Sequence, residues 1–141
     1  MAVEQGLFQL VTQDAAVKAA VGTDANGTTK AYWVLATQGA VLPFLVFSRI
    51  STTDPYAMSG TIGMREGLFQ IVTYASTSNY FTFRAIADTV RNCLKDYTGT
   101  LPDGTVVKSV IIEKDWDHQF EEGGKGFTYG AYLQFRVWYY G

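Results

Sequence analysis

Apolar residues recur along this chain at two different periods, and the switches between them mark its elements. Over residues 2–21, Val3, Leu7, Leu10, Val11 and Val17 return at helical spacing, and Gly22 is a natural stop. Asp14 is placed to cap a second short turn through Ala15, Ala16, Val17 and Ala20. Residues 22–29, rich in Gly, Thr, Asp and Asn, read as a loop. Strand signals follow at Tyr32–Leu35 and, more strongly, at Pro43–Ile50. The second has two faces, Phe44, Val46, Ser48, Ile50 and Leu45, Phe47, Arg49. Residues 51–66 hold Asp54-Pro55, Gly60 and Gly63 without a clean period, which predicts a long loop. Leu68–Ala75 is a third strand. The spacing then predicts a helix over roughly 79–97, with Phe83, Ile86, Val90, Leu94 and Tyr97 on one face. Gly99 and Pro102-Asp103-Gly104 turn the chain into a fourth strand, Val106–Ile112. Residues 113–126 read as an acidic, Gly-rich loop, and Phe127–Tyr140 as a long final strand.

The order helix, three strands, helix, two strands predicts an α+β domain spanning residues 1–141. Its sheet is expected to be mainly antiparallel and four- to five-stranded, with two principal helices packed on one face. One heptapeptide nearly repeats, Gly6–Thr12 and Gly67–Thr73. The flanks separate the copies. The first continues into an alanine-rich helical pattern, and the second follows a glycine-containing loop and leads to Tyr74. Residues 6–12 are therefore expected to be helical and 67–73 extended, the echo being coincidence rather than a repeat architecture.

The last strand sharpens the picture. Ala131, Leu133, Phe135, Val137 and Tyr139 form one face, and Tyr132, Gln134, Arg136, Trp138 and Tyr140 the other. A sheet covered by helices on one side should show a polar opposite face. Here that face is amphipathic and aromatic, in a chain with nine Phe, nine Tyr and three Trp. Two readings stand: the face meets another subunit, or its rings lie flat beside Arg136. On the first reading Tyr132, Arg136, Trp138 and Tyr140 are contact residues. The 51–66 loop adds Tyr56, Met58, Ile62 and Met64, sizeable apolar side chains in a flexible setting, with Arg65 and Glu66 at its base. These are expected to order against a partner or a neighbouring subunit; the other reading is an inert solvent loop.

Charge and chemistry narrow the classes. Formal net charge is −2 and no Lys/Arg cluster reads as a phosphate footprint, which argues against nucleic-acid binding as the primary role. Cys93 is the single cysteine, which excludes a disulfide framework and a thiolate zinc site. The N-terminus lacks signal-peptide character and no apolar run approaches the ~18 residues of a membrane span, so a soluble protein made in a reducing cytoplasm is expected. His118, within Asp115-Trp116-Asp117-His118, could join Glu121 or Glu122 at a metal, but a solvated acidic loop fits better. Gly123-Gly124-Lys125-Gly126 lacks the Ser or Thr of a phosphate loop. Cys93 reads as a small core residue. No catalytic, cofactor-binding or metal residues are expected, and no cofactor.

The pattern as a whole resembles the phage tail-completion, or tail-terminator-like, proteins. The resemblance is carried by Asp14–Val21, by Leu42–Ser51 with a proline opening a strand, by Leu68–Ala75 leading into Phe83–Leu94, and by Tyr132–Tyr139. It implies a tail-terminator-like fold and a non-enzymatic virion protein of the neck. It further implies a hexameric ring that ends tail-tube polymerisation, with tail-tube and head-completion or connector proteins as partners. DNA would be met only in passing through the ring lumen, and a membrane not at all. The long 51–66 loop departs from a minimal hairpin and leaves its role open. A cytoplasmic binding or adaptor module and a small ligand-binding α+β domain are the alternatives.

Overall fold

The computed structural model describes residues 3–23, 31–33, 43–53, 56–57, 60–61, 64–76, 80–102, 104–121 and 127–140. The N-terminal helical pattern divides into α1 (Val3–Gln13) and α2 (Ala15–Val21). The break falls at Asp14, whose backbone is extended and whose carboxylate accepts from the Ala16 and Val17 amides at 3.0 and 3.1 Å. Such a cap contributes about 1 kcal/mol by satisfying amides that the first turn leaves unpaired. Gly22 ends α2 with φ at 88°, a conformation in which a Cβ would be strained. The third helix, α3, is Tyr80–Leu94, shorter than the expected 79–97 span.

The strands are β1 (Ala31–Trp33), β2 (Phe44–Thr53), β3 (Tyr56–Ala57), β4 (Gly60–Thr61), β5 (Met64–Ser76), β6 (Gly99–Thr100), β7 (Val106–Glu121) and β8 (Phe127–Tyr140). Six of them form one sheet in the order β1-β2-β5-β8-β7-β6, and β3 pairs with β4 in a small separate ladder. The architecture is α+β, as expected, with two corrections: among the described residues the sheet has six strands, not four or five, and it is mixed, because β1 runs parallel to β2. Beside the two principal helices, α2 is the short second turn expected after Asp14. Val34 and Leu35 lie outside those residues.

Two expected loops are also largely strand. Residues 51–53 extend β2 and 64–66 extend β5, where Thr53 pairs with Glu66. Residues 113–121 extend β7 along β8 from Lys114–Gln134 to Glu121–Phe127. Ladder hydrogen bonds to a neighbouring strand hold these polar stretches extended, and no local pattern announces such a partner. The heptapeptide copies separate as expected: residues 6–12 lie in α1 and 67–73 in β5.

The main core lies between the helices and the sheet, with a smaller cluster of Ala75, Phe83, Ala87 and Ala131 beside it. Val3, Leu7 and Val11 of α1, Val17 and Val21 of α2, and Val90 and Leu94 of α3 pack on Leu45, Phe47, Phe69, Ile71, Leu133, Phe135, Val137 and Tyr139. Phe69 and Phe135 stack at its centre, ring centroids 5.9 Å apart. Among the described residues no helix is long and apolar enough to cross a membrane.

Candidate assembly surface

The alternation of β8 sends Ala131, Leu133, Phe135, Val137 and Tyr139 into the core, all buried. Tyr132, Gln134, Arg136 and Trp138 therefore point the other way, half-buried, and Tyr140 is 40% exposed. Among the described residues no helix packs on that second face. The register places its neighbours: Tyr132 pairs with Val72 and Trp116, Gln134 with Gln70 and Lys114, Arg136 with Leu68 and Ile111, and Trp138 with Glu66 and Ser109.

The open face is divided along the strands. At one end runs an aromatic band. Tyr32 meets Phe44 edge-on at 5.8 Å, Phe44 meets Tyr74 at 5.4 Å, and Trp116 stacks on Tyr132 at 5.1 Å. Burial and then the neighbouring Tyr132, through charge and a hydrogen bond, hold the Tyr74 hydroxyl above the ordinary tyrosine range. In the middle the Gln134 amide donates to Gln70 at 3.3 Å. At the other end Arg136 forms ion pairs with Glu66 and with Glu113, the latter at 2.7 Å, and Lys108 sits over the Tyr140 ring, 5.6 Å from its centroid. The face thus has an apolar end and a charged end.

The loop residues expected to accompany this face are placed differently. Tyr56 opens β3, and Met58 and Ile62 lie outside the described residues. Met64 and Arg65 are the first residues of β5, paired with Tyr140 and Tyr139. Arg65 also bonds the Tyr139 hydroxyl, whose pKa burial nevertheless raises. Met64 thus adjoins Tyr140 at the charged end of the face, whereas Arg65 projects to the opposite side.

Residues 113–121 of the acidic segment are strand, and sequence reasoning missed what their carboxylates do. In β7, Asp115 and Asp117 pair with Leu133 and Ala131 and so face α3. There Arg84 reaches Asp117 at 2.6 Å, Asp115 at 3.2 Å and Asp88, one turn on, at 2.6 Å, while Arg91 reaches Asp115 at 2.8 Å. Burial opposes the Arg84 charge, but the hydrogen bonds it donates to Asp88, Asp115 and Asp117 outweigh it and raise its pKa. The available signal was the two-residue spacing of Asp115 and Asp117 together with Arg84 and Arg91, two turns apart on a helix. His118 sits in β7 opposite Gly130, Glu122 lies outside the described residues, and no group of three metal-ligating side chains occurs among the described residues. Burial and then the adjacent Asp14 push the Cys93 thiol up to about 12, so it is protonated at neutral pH.

Comparisons with known proteins fit this arrangement. The sequence matches the family described as "Tail completion protein gp17" over residues 5–140. No functionally curated protein matches it. Among solved structures, a chain from the "Virion of native gene transfer agent (GTA) particle" shares the fold with a TM-score of 0.77. The two are 18% identical, and the match covers 99% of this chain and 96% of the other. With its family match running almost from end to end, the chain belongs to the gp17 tail completion proteins and is a structural component of the phage virion.

Proposed function

We propose that this chain caps the head-proximal end of the phage tail tube as a ring of six copies. The ring ends tube polymerisation and offers the surface on which head-completion or connector proteins join head to tail. DNA passes through its lumen without being read, and the role involves no catalysis. The observation that carries this reading is the tail-completion family match along residues 5–140. The open sheet face supports it by giving the chain a surface for assembly, with Tyr132, Arg136, Trp138 and Tyr140 as contact residues. Tyr56, Met58, Ile62, Met64 and Arg65 join them as the segment that docks on the tube or a neighbour.

A phage lacking this chain is expected to accumulate DNA-filled heads and separate tails of uneven length, with infectious titre reduced by several orders of magnitude. Electron microscopy of the lysate checks this. Joined virions with tails of normal length would contradict the capping role.

A further inference from the structure

Among the described residues, both edges of the sheet are open over long stretches, and of β7 only Val106 and Val107 have an outer partner, supplied by β6. From Ser109 to Glu121 no described strand lies outside it, an edge of roughly 40 Å. Two bulges, at Val107/Ser109 and Ile112/Lys114, twist the first part of this edge and blunt it against indiscriminate pairing. Beyond the second bulge Lys114–Glu121 runs in unbroken register with β8. A recess of about 480 Å³ lies against it, lined by Lys114, Asp115 and Trp116. At the opposite edge β1 covers β2 only at Leu45–Phe47, so Ser48–Thr53 has no outer partner among the described residues.

We propose that the open edge of β7 receives the open edge of β2 from a second copy, and that this strand pairing joins subunits around the ring. The inference rests on the ring reading above and names its contact. Two observations select this occupant. The two edges lie at opposite ends of the strand order, so joining them is a head-to-tail contact, the kind that closes rings; joining an edge to itself gives only a two-fold pair. The strands alternate in direction from β2 through β5 and β8 to β7, so a sheet continued into the next copy sets β2 antiparallel to β7, like the ladders within each subunit.

Charge does not oppose the contact. Asp115 and Asp117 of Lys114–Glu121 face α3 and are paired with Arg84 and Arg91, and Ser48–Thr53 carries no acid and one base, Arg49, which holds Glu4 at 3.2 Å with 54% of its side chain still exposed. Because β1 fills the position beside Leu45–Phe47, the neighbour must be staggered toward the end of β7, so that Lys114–Glu121 meets Ser48–Thr53. Stagger of this kind accompanies any sheet that closes around an axis.

Disulfide trapping in assembled particles tests the contact. In a Cys93→Ser background, Lys114→Cys, Trp116→Cys or His118→Cys is combined with Ser48→Cys or Ser51→Cys. All five positions lie on the open side of their strands, where directly opposed residues come within disulfide reach. Oxidised particles are expected to give a ladder of covalent oligomers in at least one combination, and none in the single-cysteine controls. Particles whose imaged neck holds a ring of this chain, yet which yield no cross-link in any combination, overturn the proposal. So does a dimer from Lys114→Cys alone, which would mean that like edges pair. Particles with no ring of this chain defeat the ring reading itself. If the cysteine variants do not assemble, a reconstruction of the neck with the unaltered chain decides by whether Lys114–Glu121 is hydrogen-bonded to β2 of a neighbour.

Discussion

Replacing Arg84 with alanine is expected to destabilise the protein by about 2–3 kcal/mol, lowering the melting temperature by roughly 5–10 °C. Arg84 is the hub between α3 and the far half of β7. Its guanidinium serves Asp88, Asp115 and Asp117 with only 19% of the side chain exposed, and Asp115 is 15% exposed. Truncation leaves three carboxylates within one cluster, with Arg91, 38% exposed, still on Asp115. Charges taken out of water need paired, directional partners, and stranding them costs more than the pair contributes net. Two further variants make the outcome specific. Arg84→Lys should recover only part of the loss, because an ammonium cannot serve several carboxylates in the guanidinium's planar geometry. Arg84→Ala combined with Asp115→Asn and Asp117→Asn should be more stable than Arg84→Ala alone. A thermal melt of Arg84→Ala within 1 °C of the parent would show that the cluster is solvated and carries no weight.

Gly67→Ala is expected to cost a similar amount, about 1–3 kcal/mol, for a steric reason. Gly67 and Phe69 share the core face of β5, and the Phe69 ring leans back over the glycine. A Cβ at position 67 would meet Cε2 of Phe69 at 2.5 Å and Cζ at 2.9 Å, with Cε1 of Tyr139 at 3.4 Å. Phe69 is 2% exposed and stacked on Phe135, so its ring has no free space to move into. Gly67→Ala combined with Phe69→Leu should fall short of the sum of the two single losses, because the smaller side chain removes the clash. Strict additivity in urea melts, or a fully stable Gly67→Ala protein, would mean that the ring is not held there.

The elements differ in how far the sequence announces them. The helix break at Asp14 is legible because capping is local: one carboxylate, two amides, three residues. The opposite fates of the two heptapeptides are legible from their flanks. The long β8 is legible because its alternation is never interrupted. β7 is not, since its bulges reset the two-residue period, and beyond Ile112 its inward positions are Asp115 and Asp117 instead of apolar residues. Their burial makes sense only once Arg84 and Arg91, more than twenty residues earlier, stand opposite them. The extension of β2 and β5 through polar residues, and the parallel pairing of β1, likewise depend on partners distant in sequence.

The same distinction applies to the open face. That Tyr132, Arg136, Trp138 and Tyr140 share one side follows from alternation alone. That Phe44, Tyr74 and Trp116 join Tyr132 in one band depends on the register of four strands, which no single segment encodes. Glu113, read as part of an acidic loop, instead closes the charged end of the face by pairing with Arg136.

The proposed role depends on where the chain sits in the particle and in how many copies. A single-particle reconstruction of the assembled neck answers both. It should show six copies of this chain in a closed ring at the head-proximal end of the tail tube, around the DNA channel. A different copy number, or density for this chain at the tail tip or inside the capsid, would contradict it.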